Sequence, residues 1–136
     1  MKPYTCFIDT NVMYSAIYNK NGVPSKIIFS NIYCLRLISS KYAYRELSRL
    51  LQKRPIPNSL PSKIELEQRV EFFETPDFEP DHLNIRKKDL PILRGAQYLD
   101  SDFLVTGDVK DFYPYMHPSF ALLTKIVTPT QLCRHF

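Results

Sequence analysis

Tryptophan is absent from the chain, and glycine nearly so, with Gly22, Gly95 and Gly107 the only three. Phosphate cradles of the G-x-G-x-x-G or P-loop kind need several glycines close together, so both are excluded. The cysteines, Cys6, Cys34 and Cys133, are odd in number and far apart. With no C-x-x-C pair, neither a zinc ribbon nor a disulfide framework is expected. No apolar run approaches the roughly 18 residues that a membrane-crossing helix needs. Asp9 interrupts the one stretch that imitates a signal peptide, so a cytoplasmic protein with no membrane partner is expected. His82, His117 and His135 are scattered without ligand spacing and are expected on the surface or in loops.

What is present is an ordinary globular composition, 44% hydrophobic and 24% charged, over 136 residues. That length suits one domain, residues 1–136, with a real core and no need of staples. The net charge of +4 suits a polyanionic partner, although many proteins without one share it.

Along the chain, strand and helix patterns alternate. Residues 4–9 are β-branched and aromatic and read as a buried strand. The next element read is a short helix opening at Val23-Pro24-Ser25 and running to about Tyr33. Leu35 to Ile38 reads as a second strand. Ser39-Ser40 caps a helix over 41–53, whose apolar stripe is Ala43, Leu47, Leu50 and Leu51. Ser62-Lys63-Ile64-Glu65 has the form of a capping box and predicts a helix to about Glu74. Thr75 to His82, with Pro76 and Pro80, reads as irregular. A helix follows from Asp89, then a strand over Phe103 to Thr106. Asp111 to Ser119, with Pro114 and Pro118, reads as a loop. Ile126-Val127 is a last strand, and Thr128-Pro129 opens a terminal helix. The alternation predicts an α/β fold, a three-layer α/β/α sandwich with a mainly parallel central sheet.

In such sheets ligands bind beyond the carboxyl ends of the strands. Asp9 and Asp108 each follow a strand and fall on that edge. Glu46 lies beside the apolar stripe of its helix, with Tyr42 and Leu50 at i−4 and i+4. Asp89 opens a helix three and four residues before Ile92 and Leu93. Asp111 is three residues after Asp108. Each acid alone has a structural explanation, as a turn former, a helix cap or half of a surface pair. Gathered together they would repel one another unless a cation sat between them. All-oxygen ligands favour Mg²⁺ or Mn²⁺ over zinc.

Asp9-Thr10-Asn11-Val12 after the first strand, Glu46-Leu47, Asp89-Leu-Pro-Ile-Leu-Arg-Gly-Ala and Phe-Leu-Val-Thr106-Gly107-Asp108 together resemble the PIN-domain nucleases. This resembles the fold of the VapC-like toxins of bacterial toxin–antitoxin pairs, and the likeness extends from Phe7 to the final helix. The resemblance implies that Asp9, Glu46, Asp89 and Asp108 are catalytic and hold metal. Asp111-Phe112 matches the alternative place of the fourth acid, so Asp108 and Asp111 both stand as ligands. Asn11 resembles a position that hydrogen-bonds near the site, and Thr106 one that orients a ligand carboxylate. Pro91 directly after Asp89, and Tyr44-Arg45 before Glu46, depart from the family pattern.

The activity implied is metal-dependent hydrolysis of RNA phosphodiester bonds, with Mg²⁺ or Mn²⁺ generating hydroxide and neutralising charge on the phosphate. Arg86, Lys87 and Lys88, next to Asp89, are candidates for holding the substrate backbone. A cognate antitoxin and a homodimer are the partners the resemblance implies. Two other readings are carried forward. One is a PIN-like module that binds a protein partner without catalysis. The other is an aspartate-phosphorylated phosphatase or receiver, against which stands Asn11, where such enzymes carry a second Asp.

Overall fold

The computed structural model describes residues 2–79, 85–116 and 122–136. Strand β1 (Tyr4–Ile8) lies at the centre of a five-stranded sheet. The other strands are β2 (Leu35–Ser40), β3 (Glu71–Phe73), β4 (Phe103–Val105) and β5 (Lys125–Val127). Their order is β3-β2-β1-β4-β5, and every neighbouring pair is parallel. Among the described residues, seven helices flank the sheet: α1 (Thr10–Tyr18), α2 (Val23–Phe29), α3 (Lys41–Lys53), α4 (Lys63–Arg69), α5 (Leu90–Tyr98), α6 (Val109–Met116) and α7 (Pro129–His135). The α/β sandwich expected from the alternation is therefore present, with a sheet that is wholly parallel.

The chain winds outward from β1 to β2 and β3, then returns to place β4 on the other side of β1. Right-handed crossovers put the connecting helices of the two halves on opposite faces. Between β1 and β4 the winding direction reverses, and that reversal leaves a crevice at the strands' carboxyl ends. Buried on both sides, β1 carries Cys6, Phe7 and Ile8 with no accessible surface, which explains its unbroken apolar run.

Local signals set several boundaries. Ser40 Oγ accepts from Ala43 N at 3.1 Å and starts α3. Ser62 does the same for Glu65 at the start of α4. Thr128 and Gln131 form a reciprocal capping box on α7.

Two expectations fail, and one helix is unexpected. The segment after Asp9, for which no element is read, is a helix, α1, which buries Val12, Met13, Ala16 and Ile17 as one stripe. Of the two structural roles open to Asp9, turn former and helix cap, it takes the cap. The helix expected to reach Glu74 stops at Arg69, because Glu71–Phe73 pairs with Ile38–Ser40 as an edge strand. Three residues are too few to show alternation. The loop expected from Asp111 begins instead as α6, with Pro114 inside it. Burial of Phe112 and Tyr115 at i and i+3 offsets the lost backbone hydrogen bond. The expectations for His82, His117, Pro80 and Pro118 fall outside the described residues.

Leu47 is fully buried on α3, one residue from Glu46. Replacing it with alanine should cost about 2–5 kcal/mol of stability, read as a lower midpoint in urea with little change in slope.

Candidate metal centre

The end of β1 is fixed before any acid chemistry begins. Ser39 Oγ donates to Ile8 O at 2.7 Å, and Asp9 N donates to Val105 O at 3.0 Å. Asp9 is thus held between β2 and β4 with 5% of its surface exposed. Its Oδ1 accepts from Thr10 N at 2.6 Å, capping α1. Its Oδ2 accepts from Thr106 Oγ1 at 2.8 Å and from Asn11 Nδ2 at 3.3 Å. The same two side chains reach across the crevice. Asn11 Oδ1 accepts from Gly107 N, and Thr106 Oγ1 accepts from Asp108 N, both at 3.0 Å. One web of hydrogen bonds therefore sets the carboxylate of Asp9 and the turn carrying Asp108. Burial pushes the Asp9 carboxyl up to about 7 against the lowering effect of these hydrogen bonds, and the charges of Asp89 and Glu46 add to the rise.

Asp89, Asp108 and Asp111 each offer a carboxylate oxygen within 4.8 Å of the others. Asp89 stands at the cap position of α5, but its side chain makes no cap hydrogen bond. It accepts instead from Arg86 Nε at 2.9 Å. The other end of the guanidinium, Nη2, lies 3.5 Å from Asp108 Oδ2 and pairs with Asp111 Oδ2. Burial raises Asp89 and Asp108 above the usual carboxylate range, with Arg86 holding Asp89 back and Asp111 lifting Asp108. Hydrogen bonding with Asp108, then the charge of Arg86, holds Asp111 below that range. One guanidinium faces three carboxylates, so the trio is only partly neutralised.

The acids expected from the sequence thus arrive in two sets. Asp89, Asp108 and Asp111 meet directly, and the Thr106 hydroxyl links Asp9 to the backbone N–H of Asp108. Glu46, half-buried on α3, stands outside the trio, although its charge acts on Asp9 and on Tyr42. Of the three basic residues before Asp89, Arg86 turns to the acids, while Lys87 and Lys88 stay exposed.

Two residues that brace this arrangement, Thr10 and Tyr42, are not among the sequence candidates. Thr10 Oγ1 donates to Ala43 O at 3.3 Å, tying α1 to α3. Tyr42 Oη donates to Lys88 O at 2.9 Å, tying α3 to the turn before Asp89. Tyr42 lies at i−4 from Glu46, and Arg86 at i−3 from Asp89; those spacings were the available signals. The donor set suits a hard divalent cation, being all carboxylate and already closed around a positive group. No protein-family model matches the chain, and no curated protein matches it.

The Asp9 shift has a definite sign. Unfolded, its carboxyl titrates near about 4; folded, at about 7. Between those values the folded protein holds the extra proton, so stability falls as pH rises and levels off above about 7. Denaturation of metal-free protein across pH 4–8 should show this decline, of roughly a few kcal/mol. Asp9→Asn should flatten it.

Proposed function

We propose that this site hydrolyses phosphodiester bonds of RNA with bound Mg²⁺ or Mn²⁺. The observation that carries the reading is the convergence of Asp89, Asp108 and Asp111 at the β1–β4 crevice, already wrapped around a cationic group. The motif resemblance to PIN-domain nucleases supplies the choice of RNA. A divalent cation held there supplies hydroxide at neutral pH and offsets the charge that builds on the phosphate.

The chain's own residues then divide the work. Asp89, Asp108 and Asp111 would hold the cation. Asp111, whose carboxyl its neighbours hold below the usual carboxylate range, would offer it an ionised oxygen. Asp9, fixed by Thr106 and Asn11, orients the ligand sphere from the crevice floor. Glu46 adds negative charge from α3. A cation there would compete with the exposed Arg86 side chain for the same oxygens. Arg86, once displaced, would join Lys87 and Lys88 beside Asp89 as cationic contacts for a phosphate. A toxin's role, with an antitoxin as inhibitor and a homodimer as the working form, belongs to the same reading and rests on the resemblance.

Arg86 also favours a second reading. A guanidinium that neutralises the trio permanently would suit a binding module with no metal and no catalysis. Calorimetric titration with Mn²⁺ separates the two: binding at or below millimolar concentration supports the hydrolase, and none at that level supports the module.

Two variants extend the test. Arg86 and the divalent ion compete for the same oxygens, so Arg86→Gln should tighten Mn²⁺ binding severalfold in the same titration. Asp9→Asn should abolish cleavage of single-stranded RNA in a gel assay while the protein stays folded; cleavage at the parental rate would remove Asp9 from the mechanism.

A further inference from the structure

A groove of about 610 Å³ opens beside the acids, within the size range of small-molecule sites, roughly 300–1,000 Å³. Phe78, Ile85 and Leu90 supply apolar walls, and Pro76 and Pro91 extend them. Phe78 is propped by Tyr98, ring centroids 6.4 Å apart and 68° between planes, which gives a braced aromatic surface. Arg45, Lys87 and Lys88 line the same groove, with Asp77 the one acid among its described lining residues. Tyr42 forms the partition. Its ring lines the groove, its hydroxyl bonds Lys88 O, and it feels the charges of Glu46, Asp89 and Asp9.

Flat apolar walls with a cationic rim, one side chain away from a carboxylate cluster, match the two halves of a nucleotide. We propose that this groove receives a base of single-stranded RNA, whose backbone passes Lys87 and Lys88 to reach the acids. The inference rests on the hydrolytic reading above and adds where the substrate strand lies. Stacking on aromatic and apolar walls serves any base. The cations at the rim are suited to the phosphate, and the apolar walls to the base. An acidic peptide would satisfy the cations and leave the apolar walls without a partner.

The test is nitrogen-15 NMR of the whole chain in EDTA, titrated with adenosine 5′-monophosphate. Saturable shifts are expected at the amides of Phe78, Ile85, Lys87 and Lys88. Phe78→Ala should weaken binding roughly tenfold or more. Lys88→Glu, an exposed change that spares the fold, should weaken it too and reduce its salt dependence. Inorganic phosphate should leave Phe78 and Ile85 unmoved. Absent shifts, undiminished binding by both variants, or equal shifts from a hexaglutamate peptide would each overturn the groove assignment. A protein that cleaves RNA with Mn²⁺ but ignores the nucleotide overturns the groove alone. One that binds the nucleotide here but cleaves no RNA overturns the hydrolytic reading and leaves the groove standing.

Discussion

Carboxylates crowded at the mouth of the β1–β4 crevice repel one another, and the local structure is arranged around containing that repulsion. Asp89, Asp108 and Asp111 lie close enough to share a cation, with Asp9 one hydroxyl away. Burial makes the problem worse, since each ionised group has lost much of its water. Arg86 supplies one positive charge against at least three negative ones. Asp9, Asp89 and Asp108 have raised proton affinity as a result, while Asp111 is held low. A purely structural network would be expected to balance its charges more closely.

Topology explains how the acids meet. Asp9 and Asp108 are 99 residues apart but follow adjacent parallel strands, so they emerge at the same edge. Asp89 comes from the return connection between β3 and β4, at the start of α5. The hydrogen bonds of Asn11 and Thr106 then convert rough proximity into a fixed geometry, because each side chain bonds both Asp9 and the turn after β4. Tyr42 and Thr10 do the same between α3 and its neighbours. Preorganisation of this sort suits a site that must hold an ion in one place.

Much of this was legible beforehand, and the failures have physical causes. The alternation of strands and helices gave the layers, and the strand-end positions of Asp9 and Asp108 gave the edge. The buried run of β1 was plain because both its faces are covered. Helix α1 was missed since Asp-Thr-Asn signals a turn as strongly as it signals a cap. β3 was missed since a three-residue edge strand carries no period, and α6 since Pro114 argues against a helix that burial nonetheless sustains. Within the site, Asp89, Asp108 and Asp111 were all proposed as candidates. Arg86 was assigned to the substrate instead of to the acids, because a run of three basic residues does not say which one turns inward. The wall residues Phe78 and Ile85 carried no signal at all.

The central claim is that the trio prefers a divalent ion to Arg86. A crystal structure of the protein soaked in Mn²⁺, with anomalous scattering to locate the metal, tests it most directly. The account predicts a manganese peak among Asp89, Asp108 and Asp111, within reach of Asp9, and the Arg86 guanidinium turned away. Arg86 still seated among the three carboxylates at millimolar Mn²⁺, with no anomalous peak there, would contradict it.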